Sequence, residues 1–209
     1  AYEISTRDWS SDVCSSDLVA VDRFDWRQPR DDVYLSVCRL VPYKRVDLLV
    51  QACSCLGLPL LVVGDGPDRR RLEALAGPSV RFLGRCPADE VARLMGRCRA
   101  FLYAGVEDFG IAPVEAMAAG APVVALGVGG LRDSVRCLSD DPATATGLFF
   151  SRQTVDDLVA ALRHFEEGRL WRQLPAERLR RHAERFAPDR FRDRLAQVLQ
   201  AWMADRPCA

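Results

Sequence analysis

The stretch VEDFGIAPVEAMAAG carries two carboxylates eight positions apart, Glu107 and Glu115, on either side of a glycine that opens a helical pattern. Phe109, Gly110 and Ile111 begin that pattern. The first amides of a helix have no intrahelical acceptor, so they make a cradle for an anion such as phosphate. Glu115 falls about one turn further in, beside the same cradle, where a carboxylate can accept two hydrogen bonds from a ribose diol. Two carboxylates next to a phosphate are costly unless they bind hydroxyls and are balanced by cations. The cations available are Arg39 and Lys44 of CRLVPYKR, which flank a proline-containing turn able to aim a guanidinium and an ammonium at one anion. Lys44 is the one lysine among 29 basic residues. On spacing alone, Arg39 and Lys44 read as two solvated surface cations. An acidic first turn would explain Glu115, but not Glu107, Gly110 and the run of small residues together.

Two more loops belong to the same search. VVGDGPDRRRL puts Gly64, Asp65 and Gly66 in a tight, close-approach turn. Arg69 stands where a dinucleotide fingerprint needs its third glycine, and no acidic residue closes the next strand, so a dehydrogenase is rejected. In LGRCPADE, Gly84, Arg85 and Cys86 end a strand where they can meet a base; a plain strand-to-helix turn with Pro87 at a first helical position explains them equally well.

These loops need a scaffold, and the pattern supplies one. From Asp32 onward, short apolar runs alternate with helical stretches. Strands are predicted at 33–38, 59–64, 80–84, 100–105, 122–126 and 147–150. Helices are predicted at 44–57, at 67–77 ending on Gly77, at 88–98, and at 111–120 closed by Gly120 and Pro122. Another runs to residue 167 behind the N-cap Thr154, and an Arg-rich helical tail covers 170–203. The fold class is α/β, a Rossmann-like doubly wound parallel sheet with a helical C-terminal tail. Its ligands belong at the carboxyl ends of the strands, where all four loops lie.

Composition narrows the function. At 209 residues and 49% hydrophobic, the chain can bury one sizeable core. Zero net charge removes any global field toward nucleic acid. Eight scattered cysteines without C-x-x-C, and only two histidines, leave no zinc spacing, and the thiols read as small buried groups in a reducing compartment. No apolar run is long enough to span a bilayer and no signal-peptide pattern opens the chain, so the expected location is the cytoplasm.

The ordered set CRLVPYKRVDLLV, VVGDGP, VRFLGR, EDFGIAPVEAMAAGAPVVA and GVGGLRDSV resembles the C-terminal half of the family 4 glycosyltransferases, from about Val19 onward. Its wording is most similar to the bacterial branch of O-antigen mannosyltransferases that use GDP-mannose. The resemblance implies a GT-B enzyme whose C-terminal domain, here 19–209, binds the sugar nucleotide, with a glycan or lipid-linked acceptor held by an N-terminal domain. It implies a retaining transfer without metal or other cofactor, in line with the absence of any D-x-D in the chain. By the same resemblance Arg39 and Lys44 neutralise the leaving diphosphate and Glu107 takes the sugar hydroxyls. The amides of Phe109, Gly110 and Ile111 hold phosphate and sugar, Glu115 the ribose, and Gly84, Arg85 and Cys86 the base. Cys38 replaces a usual glycine and Asp133 a usual glutamate. The alternatives are a nucleotide-binding module without catalysis of its own, and a GT-B sugar-nucleotide epimerase, against which the Glu107/Glu115 element argues. The tail reads as a solvated helix pair packing on the sheet, favoured by the interleaved Glu184, Asp189 and Asp193, or as a helix on a membrane surface. Peripheral contact of the whole enzyme with the inner face of the cell membrane goes with either.

VAVDRF at 19–24 resembles the second half of the phrase by which this family enters its C-terminal domain, whereas DWSSDVCSSDL at 8–18 has neither helical nor strand period and resembles a translated sequencing adapter. Residues 1–18 are therefore expected to be foreign to the fold. Deleting them should leave the thermal midpoint unchanged; a loss equivalent to ~1 kcal/mol, roughly 2–4 °C in a domain of this size, would show that they belong to it.

Overall fold

A computed structural model describes residues 18–204. Six strands form one parallel sheet in the order β3-β2-β1-β4-β5-β6. They are β1 (Tyr34–Val37), β2 (Leu60–Val63), β3 (Val80–Gly84), β4 (Ala100–Tyr103), β5 (Val123–Leu126) and β6 (Gly147–Phe150). Every residue of β4 and β5 is buried, as strands covered by helices on both faces require, while β3 at the edge exposes Arg81. The crossovers are helical: α1 (Val46–Leu56), α2 (Arg69–Leu75), α3 (Ala88–Arg97), α4 (Ile111–Ala118) and the short α5 (Leu131–Ser134). After β6 come α6 (Val155–Glu167), α7 (Ala176–Ala183) and α8 (Pro188–Ala204). One layer is built on α1 against α2 and α6, the other on α4 against α3 and α7.

The expected elements are present with trimmed ends. Lys44 does not open α1; it closes a 3-10 turn, Pro42–Lys44, and Arg45 follows in the left-handed region at φ 52°. The second helix ends at Leu75 and not on Gly77, whose N–H instead donates to Ser54 Oγ at 2.8 Å. Thr154 caps α6 as expected, its Oγ1 accepting from the Asp157 amide at 3.3 Å. The tail divides. α7 buries Leu179, His182 and Ala183 and packs on α4, whereas α8 leaves Phe191, Leu195 and Leu199 exposed. The tail helices expected to pack as a pair on the sheet do not: α7 packs on α4, in the helical layer, and α8 keeps an exposed apolar face.

Residues 1–17, most of the segment expected to be foreign, lie outside the described residues. The entering segment is well held: Val19, Val21 and Phe24 are buried, and Arg180 of α7 donates to the carbonyls of Val21 at 2.7 Å and Phe24 at 3.1 Å and to Asp22 at 2.8 Å.

The amino ends of the strands are tied by a charged cluster. Arg99, just before β4, donates to both carboxylate oxygens of Glu166 at 2.6 and 2.8 Å and lies 4.5 Å over the Trp171 ring. Glu166 also accepts from the hydroxyl of Tyr34, so one carboxylate joins α6 to β1 and to the approach to β4. Burial and that bond push the Tyr34 phenol far above its ordinary value, which keeps it a donor. Hydrogen bonds to charged groups contribute ~1.5–3 kcal/mol. Arg99→Met should therefore lower the melting temperature by roughly 5 °C or more without changing ligand binding at the opposite end of the sheet. A shift within a degree of wild type would show that the cluster contributes nothing net.

Candidate functional site

The strand order turns at β1. The chain winds outward through β2 and β3, then returns to place β4 on the other side of β1. The loops after β1 and β4 leave the sheet in opposite senses, and a parallel sheet opens its crevice between two such loops. Lys44 stands in the first loop and Glu107 in the second.

The structure brings these two into contact. Lys44 Nζ donates to Glu107 Oε1 in a half-buried ion pair with 15% and 22% of the two side chains exposed. The same oxygen accepts from the hydroxyl of Tyr103, the last residue of β4, at 2.6 Å. Lys44 also lies 5.1 Å from the ring centre of Tyr43 and 5.7 Å from that of Tyr103, within cation–π range. Its backbone is held by the left-handed Arg45, whose guanidinium donates to both oxygens of Asp47 and to Gln153 Oε1. Gln153 in turn donates to the Ala104 carbonyl at 2.8 Å, so the two loops are sewn together behind the ion pair. Arg39 sits apart, exposed, with no hydrogen bond or ion pair from its side chain among the described residues. It is a cation open to solvent, as is Arg85 further along the same crest.

Glu107 is fixed from its backbone as well. The Gly130 amide donates to its carbonyl at 2.8 Å, and a Cβ at Gly130 would lie 1.8 Å from the Asp108 carbonyl oxygen. No side chain fits there, so the loop after β5 can support the loop after β4 only through glycine. Next along, Gly110 caps α4 at φ 89°. The amides of Phe109, Gly110, Ile111 and Ala112 find no acceptor among the described residues, which leaves the expected cradle available. The Phe109 ring turns away and packs edge-on to Phe186 at 5.3 Å. Only the backbone of Phe109 faces the cradle's task.

Glu115 lies one turn into α4, half-buried, and its carboxylate makes no hydrogen bond among the described residues. Burial raises its pKa above the ordinary carboxylate value, opposed by the positive charge of Arg23 in the entering segment. It is a desolvated acceptor without a donor, as a carboxylate waiting for ligand hydroxyls would be.

Gly64, Asp65 and Gly66 have a more architectural part than the sequence implied. A Cβ at Gly64 would meet the Cys38 carbonyl oxygen at 1.9 Å, and one at Gly66 the Leu40 carbonyl oxygen at 2.3 Å. The close approach is to the β1 loop: Leu40 N–H donates to Asp65 O at 3.0 Å and Asp68 N–H to Leu40 O at 3.1 Å. The Asp65 side chain accepts from the Gly66 amide at 2.9 Å. Gly64 N–H donates to Gly84 O at 2.8 Å, which brings Gly84, Arg85 and Cys86 to the far end of the same crest, with Arg85 exposed. Cys38 is half-buried, and burial pushes its thiol up to about 11, so it is an inert packing group beside the ion pair. Arg45, Gln153 and Gly130 escaped the sequence reading because the Arg45–Gln153, Gln153–Ala104 and Gly130–Glu107 contacts join residues that only the fold makes neighbours, and Tyr103, four residues before Glu107, because a strand pattern does not say where its hydroxyl points. The pattern GVGG was the one visible signal for Gly130.

Among the described residues, no group of three potential metal ligands gathers and no helix is long and apolar enough to cross a membrane.

The family model "Glycosyl transferases group 1" matches residues 21–186. The 2-deoxystreptamine glucosyltransferase of Streptomyces kanamyceticus is 38% identical over 122 residues, 53% of this chain and 32% of that protein. The GDP-mannose-dependent alpha-mannosyltransferase of Mycobacterium tuberculosis is 38% identical over 100 residues, 47% of this chain and 26% of that protein. The match thus spans about a third or less of the length of these curated relatives. Among solved structures, sucrose-phosphate synthase from Thermosynechococcus elongatus superposes with a TM-score of 0.73 at 25% identity, over 90% of this chain and 52% of that one.

Because the folded chain holds the Glu115 proton more tightly than the unfolded chain does, stability from this group is full below the unfolded carboxylate value and is lost as pH rises through the raised folded value. Glu115→Gln is expected to match wild type in thermal midpoint near pH ~4 and to exceed it at neutral pH, where the wild-type carboxylate carries its charge. A lower midpoint at neutral pH would mean that the charge is already paired in the free protein.

Proposed function

This chain belongs to the glycosyl transferases group 1, and from that premise we propose that it is the donor-binding part of a retaining hexosyltransferase that moves mannose from GDP-mannose to a glycan or lipid-linked acceptor. The observation that carries the reading is the meeting of Lys44 and Glu107 across the β1/β4 crevice, beside the open amides of α4 and the carboxylate of Glu115, which receives no hydrogen bond among the described residues.

In this reading each group does what its chemistry suits. The amides at the start of α4 hold the sugar-bearing phosphate. Arg39, open at the crest, and Lys44, reached by displacing its contact with Glu107, meet the charge that develops on the diphosphate as the glycosidic bond breaks. They take a part that a divalent cation plays in other phosphate sites. Glu107 accepts from the sugar hydroxyls, Glu115 from the ribose diol, and residues 84–86 face the base. Mannose and GDP are supported by the wording of RLVPYKRVDL and EDFGIAPVEAMA and by the 38% identity to a GDP-mannose-dependent enzyme. A glucosyl donor is the competing reading, supported by equal identity to a glucosyltransferase over a longer stretch. The acceptor would be bound by a partner domain across the crevice, at the inner face of the cell membrane if the acceptor is lipid-linked.

Calorimetric titration with GDP, UDP, ADP and guanosine tests the site. Lys44→Ala and Arg39→Ala should each weaken GDP binding by roughly tenfold or more, the ~1.5–3 kcal/mol of a charge-assisted contact, and leave guanosine binding within about twofold. Equal losses for both ligands would indicate general destabilisation, and wild-type protein that binds none of these nucleotides would overturn the donor-site reading.

A further inference from the structure

Glu107 receives two protein donors, and both reach the same oxygen. Lys44 Nζ and the Tyr103 hydroxyl converge on Oε1, while Oε2 has no partner among the described residues. The two donors differ in what a ligand does to them. Lys44 is an ammonium for which a diphosphate would compete, whereas Tyr103 is anchored: the residue is 4% exposed at the end of β4, its ring stacked at 11° on Phe101 with centroids 6.4 Å apart. A buried phenol needs an acceptor, and among the described residues this one has only Glu107. Burial together with the Glu107 bond holds the hydroxyl far above its ordinary pKa, so it stays a donor across the working range of pH.

We propose that Tyr103 is a positioning residue that holds Glu107 by Oε1 and presents Oε2 to the sugar, most of all once Lys44 has turned to the diphosphate. This rests on the donor-site reading above. When Lys44 leaves, Tyr103 is the remaining side-chain donor to the carboxylate, and without it Glu107 is free to rotate about its side-chain bonds just when the sugar arrives. The effect should therefore fall on recognition of the sugar and not on recognition of the diphosphate. Lys44 acts in the opposite way, through the diphosphate first.

The test is Tyr103→Phe, which removes one oxygen and keeps the ring, with Tyr103→Leu beside it in case the hydroxyl also matters to folding. Both are titrated with the pairs GDP and GDP-mannose, and UDP and UDP-glucose, with thermal midpoints recorded alongside. The expected result is that wild type prefers a sugar nucleotide over its own nucleoside diphosphate. Tyr103→Phe should lose that preference about three- to tenfold, while its affinity for the diphosphate alone stays within twofold and its midpoint within a few degrees. Lys44→Ala should instead weaken both members of the pair together. An unchanged preference in both Tyr103 variants would overturn the inference while leaving the donor site standing. So would equal loss for both ligands in step with a falling midpoint, which marks a structural role. A wild type that binds diphosphates without preferring the sugar form would also sink it, and one that binds none would overturn both readings at once.

Discussion

The ion pair between Lys44 and Glu107 closes the gap that the strand order opens. A parallel sheet that turns at β1 must leave a crevice between the loops after β1 and β4, because no backbone ladder continues beyond the ends of those strands. Two irregular loops facing each other across such a gap have little of their own to hold them. Here a half-buried charge pair spans it, with Tyr103 below and the Arg45–Gln153–Ala104 relay behind. An exposed pair would be worth little. This one is partly withdrawn from water and shares its acceptor oxygen with a buried phenol, so the Oε1 side of Glu107 is held while Oε2 makes no hydrogen bond among the described residues.

In the donor-site reading the same pair would join stability to function. In the free protein Lys44 is occupied by Glu107, so a diphosphate would have to compete for it, whereas the exposed Arg39 would require no such exchange. Glu115 makes the opposite compromise: its carboxylate is partly withdrawn from water and receives no hydrogen bond among the described residues, a cost that ligand hydroxyls would remove. Charges that are poorly satisfied until something binds are common where binding is the purpose.

Around these side chains the loops are packed backbone against backbone. Gly64 lies against Cys38 and Gly130 against Asp108, so close that a Cβ at either position would overlap a carbonyl oxygen. The crest from residues 84–86 through 64–66, 38–44 and 107–110 to 129–130 is therefore one continuous surface, with glycine as the spacer between neighbouring segments. Glycines that the sequence offered as ligand contacts are first of all what lets the contacting loops sit side by side.

The architecture was legible in the chain because its signals are local. Apolar runs such as LLVV and VVAL, alternating with helical stretches, suffice for a parallel α/β sheet, and a capping Thr154 or a small-residue run after Gly110 marks an element by its own chemistry. E-x7-E places two carboxylates around one helix start, so Glu107, Glu115 and the amides of residues 109–111 were readable from spacing. The rest depended on neighbours far apart in sequence. That Lys44 grips Glu107, 63 residues away, follows from β1 and β4 being adjacent, which no local pattern encodes. Tyr103 is the near exception: it stands four residues before Glu107, but a strand pattern does not tell that its hydroxyl turns back to that carboxylate, at 2.6 Å. α7 and α8 share an Arg-rich, amphipathic wording, yet one is buried on α4 and the other exposes Phe191, Leu195 and Leu199. Periodicity tells which face of a helix is apolar; only the assembled fold supplies, or withholds, the surface that covers it.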